Sequence, residues 1–209
     1  SGKVGKSRVD FRASYGMSKL ANDNNYGVMS PNQLVPFMRD AVTNSGFNPD
    51  DPSAGGGRYY VPSSLATGKT YDWMDLVTRT GKAQNYELTI SGGTEKTKHY
   101  VSAGYSNDEG VFNGVNYQKF QLRANLDQKV NNWITAGVRL NGAYTKSDDV
   151  PMQNLYFANP LFGGQIIAPW TSPYNADGSY SLDIPENGNT NPLANAAYDD
   201  QWEKQNRMM

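Results

Sequence analysis

Few residues in this chain could do chemistry, and their spacing suits it poorly. Acidic pairs occur at Asp50/Asp51, Asp148/Asp149 and Asp199/Asp200. A glycosidase needs two carboxylates about 5–10 Å apart across a cleft. Adjacent residues in turn-rich loops match that poorly, and the pairs read as solvated loop charge. Asn175, Asp177, Ser179 and Asp183 surround Gly178 in a faint calcium-loop pattern. The glycine is misplaced for an EF-hand, and Asn-Ala-Asp-Gly reads more simply as a turn. His99 is the only histidine and Cys is absent, so it cannot anchor a recognisable zinc site. His99 shares parity with Val101 beside a short turn, a structural position. The sequence therefore predicts no catalytic residue, no metal site, no cofactor and no enzyme.

The remaining polar candidates belong to strands. Arg8, Asp10, Arg12, Glu87, Lys119, Arg123 and Arg139 all fall on polar strand faces. They fit the lining of a hydrated lumen, with Arg12, Glu87, Arg123 and Arg139 as its named members. They equally fit cross-strand charge pairing on a wet surface. Trp170, Tyr174, Tyr180 and Trp202 lie in the last excursion, where loop aromatics stack on sugar faces or on one another.

The elements that carry these residues show a two-residue alternation. Strands are predicted near residues 8–15, 84–92, 99–106, 117–127 and 133–146. In the second, Tyr86, Leu88 and Ile90 alternate with Glu87, Thr89 and Ser91. In the fourth, Phe120, Leu122, Ala124 and Leu126 alternate with Gln121, Arg123, Asn125 and Asp127. Each strand thus has one apolar and one polar face. Composition agrees: 37% hydrophobic residues with 14 Tyr and 21 Gly suit antiparallel strands with thin apolar faces. The net charge of -1 gives no reason to expect nucleic acid as a partner. No apolar run approaches the roughly 20 residues of a spanning helix, which leaves a β-barrel open.

The connections alternate in length. Residues 16–82 and 147–207 are long excursions; the turns at 92–98 and 128–132 are short. Ser30-Pro31-Asn32-Gln33 predicts a capped helix through Leu34, Val35, Phe37, Met38, Ala41 and Val42, stopping near Gly46 and strained by Pro36. Asp72 predicts a second short helix through Trp73 and Val77. Long and short connections in alternation are the rhythm of an up-and-down membrane barrel.

Strand direction gives a sharper test. With the first strand running upward, Tyr15, Tyr86, Tyr105, Phe120 and Tyr144 all reach the upper end of an apolar face. Membrane barrels place aromatics at that boundary, because the ring is apolar while a Tyr hydroxyl stays wet. The expected architecture is all-β: an antiparallel up-and-down sheet forming part of a transmembrane β-barrel, with long loops carrying short helices. Five strands cannot close a barrel, so further strands are expected elsewhere, and the chain reads as an internal piece of a longer protein. The alternative is a soluble β-sandwich or jelly-roll glycan-binding module.

The residues also carry a resemblance. The run from Asn85 to Tyr105, centred on Gly92-Gly93-Thr94-Glu95-Lys96-Thr97-Lys98-His99-Tyr100, resembles the barrel start of SusC/RagA-type TonB-linked outer-membrane transporters. Asp72-Trp73, Arg79-Thr80-Gly81, Asn125 to Val130, Tyr144 to Asp148 and Asn191 to Ala194 are similar to further segments of that family. The resemblance implies a barrel of about 22 strands in a Bacteroidota outer membrane, in contact with its lipid. It implies import of oligosaccharides or peptides under a SusD-like lipoprotein lid, energised through TonB. It places Gly5 to Tyr15 just after the plug domain and Gln205 to Met209 at the threshold of a sixth strand. The plug and the remaining barrel then lie outside this chain.

Overall fold

A computed structural model describes residues 4–21, 29–149, 156–198 and 202–208. The chain divides into two compact units. One comprises Ser1–Leu20, Arg79–Val150 and Asp199–Met209; the other comprises Ala21–Thr78 and Pro151–Tyr198.

The first unit is a single antiparallel sheet in chain order: β1 (Gly5–Ser18), β2 (Gly81–Gly93), β3 (Thr97–Glu109), β4 (Asn116–Lys129), β5 (Thr135–Asp148) and β6 (Trp202–Met208). The five expected strands are present, each longer than its alternation suggested at one or both ends. The sixth begins at Trp202, three residues before the expected threshold, so this residue belongs to a strand and not to a loop. All described strands form one sheet, which supplies no second layer for a sandwich.

Short polar hairpins close two of the connections. Thr94 Oγ1 accepts the Lys96 and Thr97 amides in the β2–β3 turn. Asn131 Oδ1 accepts the Trp133 and Ile134 amides in the β4–β5 turn, which moves Trp133 out of the strand expected to contain it. Such side-chain caps replace ladder bonds where the backbone reverses. The β3–β4 loop is held differently: the Arg79 guanidinium donates to the carbonyls of Gly110 and Val115 and to Asn116 Oδ1.

The second unit gathers the two long excursions around cores of its own. Trp73, Val77, Ile167, Ile184 and Leu193 make one cluster; Val35, Val42 and Val61 make another. Four helices serve them: α1 (Pro31–Asn44), α2 (Trp73–Val77), α3 (Pro160–Ile166) and α4 (Pro192–Tyr198). Helix α1 begins as expected, with Gln33 Oε1 accepting from the Ser30 amide and hydroxyl. It continues through Pro36, which lies on the exposed side. Phe37, expected in the apolar stripe, is instead 61% exposed. Gly46 follows the helix at φ 84°, a left-handed stop that a side chain would strain. Asp72 caps α2 by accepting the Asp75 amide.

Candidate functional site: a sheet with two unlike faces

Register decides which residues share a face, because directly opposed residues of an antiparallel pair point the same way. Tyr86, Tyr105, Phe120 and Tyr144 oppose one another successively across β2 to β5. They form one cross-strand row, with ring centroids 6.4 Å apart for Tyr86–Tyr105 and 4.7 Å for Tyr105–Phe120. Tyr15 has the same parity but opposes Gln84, one row further up.

Beneath the aromatic row lie three more rows on the same face. They are Phe11/Leu88/Ala103/Leu122/Gly142, then Val9/Ile90/Val101/Ala124/Leu140, then Gly92/His99/Leu126/Val138. Above it the face turns polar at Gln84/Asn107/Gln118/Lys146. Below it the face turns polar again at Thr97/Gln128, which are hydrogen-bonded to each other. The four rows span six residues, about 20 Å at ~3.3 Å per residue, close to the roughly 25 Å apolar band of an outer-membrane barrel.

This band has no protein core beneath it. Phe11 is 65% exposed, Leu122 56% and Leu140 60%. Among the described residues of the sheet unit, the one buried hydrophobic side chain is Phe112, in the β3–β4 loop. The chain buries apolar groups where it can, in the loop unit, and leaves this face open. Exposed apolar patches of that extent mark a surface made for an apolar partner.

The opposite face is polar. Arg12 opposes Glu87, in the row that continues through Gly104, Gln121, Ala143 and Arg207. Gly104 makes room for Gln121, whose amide nitrogen would lie 2.8 Å from a Cβ at that position. Arg123 opposes Asn141 and donates to its Oδ1 at 2.9 Å. Arg139 reaches the neighbouring strand to pair with Asp127 at 2.5 Å, and Arg8 pairs with Asp10 along its own strand. The structure thus puts Arg12, Glu87, Arg123 and Arg139 on one face and all five named aromatics on the other.

The remaining candidates resolve into local structure. Asp50 forms a two-pronged ion pair with Arg39, whose guanidinium also donates to the Val61 carbonyl. Those hydrogen bonds hold the Asp50 carboxyl below its ordinary value. Asp51 caps the turn at Ser53 and is lowered for the same kind of reason. Asp148 pairs with Lys146. Asp199 and Asp200 lie outside the described residues. Asp177 accepts from the Ser179 amide and hydroxyl, closing a hairpin in which Tyr174 bridges Tyr180. His99 lies within 3.5 Å of the Ser7 hydroxyl. No three His, Asp or Glu side chains gather as a metal-ligand group among the described residues, and no described helix is long and apolar enough to cross a membrane. Trp170 packs against the Val35 cluster, while Tyr180 meets Tyr174 in a tilted ring pair and Tyr198 edge-to-face.

Some features escaped the sequence reading. The polar row above the aromatics was available, since the same parity simply continues to Gln84 and Lys146. Arg207 was missed because it lies on a strand placed too late. Helices α3 and α4 each begin at an Asn-Pro pair, Asn159-Pro160 and Asn191-Pro192, a cap followed by a first-turn proline.

No protein-family model matches the chain. Curated relatives do. It is 30% identical over 129 residues to TonB-dependent receptor P3 of Formosa agariphila, covering 59% of this chain and 13% of that protein. It is 27% identical over 166 residues to TonB-dependent receptor P26 of the same organism, covering 78% of this chain and 16% of that protein. It is 33% identical over 66 residues to the TonB-dependent receptor SusC of Bacteroides thetaiotaomicron, covering 32% of this chain and 6% of that protein. Among solved structures, the RagAB peptide transporter superposes with a TM-score of 0.67 at 22% identity, over 87% of this chain and 22% of that one. That likeness concerns the fold. The chain spans less than a fifth of the length of each of these curated relatives.

Proposed function

We propose that the chain is a segment of a SusC/RagA-type TonB-linked receptor and that its sheet is a stretch of barrel wall in an outer-membrane transporter. The observation that carries this reading is the uncovered apolar band, bounded on both sides by polar rows and capped by aromatics. Lipid is the partner for such a face. On this reading Tyr15, Tyr86, Tyr105, Phe120 and Tyr144 lie at the membrane–water boundary, and Arg12, Glu87, Arg123 and Arg139 line the lumen. The whole receptor imports an oligosaccharide or a peptide under a SusD-like lipoprotein lid and draws energy through TonB. TonB dependence follows the names of the curated relatives and a peptide cargo that of the RagAB structure; the oligosaccharide and the lid follow from the sequence resemblance. The wall itself performs no catalysis: it separates lipid from water and holds a polar passage open.

The chain has no cysteine, so single cysteines introduced at neighbouring positions are its sole thiols and report on each face once any cysteine elsewhere in the receptor is replaced. In the receptor carrying this chain, in native membranes, cysteines replacing Gln121 and Arg123 should react with a water-soluble maleimide. Those replacing Leu122 and Ala124 should be protected. Equal labelling at odd and even positions would overturn the wall assignment.

A further inference from the structure

The inward face has an unbalanced charge pattern concentrated at one place. Arg8 is taken up by Asp10 and Arg139 by Asp127, while Arg12 stands opposite Glu87. Lys98, opposite Asp127, and Lys129, opposite Thr135, lie at the far end of this face. Nearer its middle Lys119, Arg123 and Arg207 remain, and among the described residues none of these three forms an ion pair. Arg123 is held by the neutral amide of Asn141, which orients the guanidinium without cancelling its charge.

These three cations border adjoining cavities of about 410 Å³ and 350 Å³. Lys119, Ala143 and Arg207 line both. The register explains the hollow. Ala143 on β5 sits directly between Gln121 on β4 and Arg207 on β6, so a small side chain forms the floor between long ones. Tyr117 and Ser147 line the first cavity, and among the described residues Glu87 is the one carboxylate lining the second. Asp108 opposes Tyr117 and Glu203 opposes Ser147, both one row above Lys119, at the rim.

We propose that Lys119, Arg123 and Arg207 form an anion subsite that takes the carboxylate of a solute passing along this face. The inference rests on reading the face as a lumen wall. Charge complementarity selects the ligand: among the described lining residues three cations stand against one carboxylate, with Asp108 and Glu203 a row away, which favours an anion at the Arg123 end. A low-dielectric wall behind a hydrated groove focuses that field. The two guanidiniums supply planar donor forks matched to a carboxylate, and Lys119 supplies a compact point charge.

The test uses the full receptor that carries this chain, purified in detergent and titrated with tetraglutamate and with tetraglutamine. The expected result is a preference of about tenfold for tetraglutamate at low salt, shrinking as salt screens the cations. Lys119→Gln combined with Arg207→Gln should remove most of that preference, and Lys119→Arg should keep it. Equal binding of the two peptides by the unmodified receptor overturns the proposal, and needs no variant to be folded. An acidic segment of the receptor itself occupying the three cations gives that same outcome. A preference that survives the double substitution overturns it too. The cysteine labelling separates this failure from failure of the wall assignment. If Gln121 and Leu122 positions label alike, the wall reading falls. If they differ and the peptides bind alike, only the anion subsite falls.

Discussion

Asn191 is 1% exposed, yet its amide is fully used. Its Nδ2 donates to the carbonyls of Pro173 and Ser181, and its Oδ1 accepts from the amides of Leu193 and Ala194. One side chain therefore caps α4 and ties it to the Tyr174–Tyr180 hairpin. Removing it strands buried donors and acceptors together, which costs more than an exposed cap. Asn191→Ala should destabilise the loop unit by roughly 2–4 kcal/mol, read as earlier hydrogen exchange of the α4 amides. Arg39 and Asp50 give a pH dependence at the same scale. Hydrogen bonding to Arg39 lowers Asp50 from its ordinary 3.8. A depressed carboxyl contributes stability that is fully present above the unfolded value and lost as pH falls through the folded one. Amide protection in α1 should therefore fall as pH drops below about 3.8, and Asp50→Asn should flatten that response. Asp51 is also lowered, so part of the acid sensitivity should survive the substitution. An identical pH profile in wild type and variant would remove the pair from the account.

For a strand, the face a residue occupies matters more than its identity. Leu122 lies within the apolar band, whereas Thr89 lies on the polar face opposite Asp10. In the receptor refolded into lipid vesicles, Leu122→Lys should cost about 2–4 kcal/mol, because a charge near mid-bilayer loses its water. Thr89→Lys should change stability by no more than about 0.5 kcal/mol, since its amine stays wet beside a carboxylate. Denaturant unfolding of the two variants checks the contrast, and equal losses would contradict it. The same dependence on face explains what could be read from sequence. Period-two alternation is a local property, so β1 to β5 and the parity of their aromatics were legible without coordinates. Strand ends were less so, because Lys82, Glu109 and Asp148 extend the pairing as a polar row on the aromatic face, where the apolar alternation has already stopped. The loop helices α3 and α4 were masked by proline content, although proline after an asparagine cap begins a helix rather than forbidding one. Phe37 misled because helical spacing names a stripe before it is known which part of the stripe is covered.

At the scale of the whole molecule, the sheet is a structure with unmet obligations. Among the described residues β1 pairs only with β2, so one side of a 14-residue strand presents free amides and carbonyls. β6 likewise pairs, among the described residues, with β5 alone. Unpaired edges template association in water and are forbidden in lipid, where each free backbone group costs several kcal/mol. The apolar band adds a second drive in the same direction. The loop unit differs, because Trp73 and Ile184 are 1% and 0% exposed within cores of its own. The chain by itself in detergent-free buffer should therefore sediment as concentration-dependent oligomers, while amides of α1 and α2 keep more protection than those of β1 and β6. Micelles should reduce the association by covering the band, without abolishing it, since detergent tails cannot pair with a strand edge. Sedimentation as one monomeric species at all concentrations, with a single cooperative unfolding transition, would show that the band is covered by the protein itself and that lipid is not its partner.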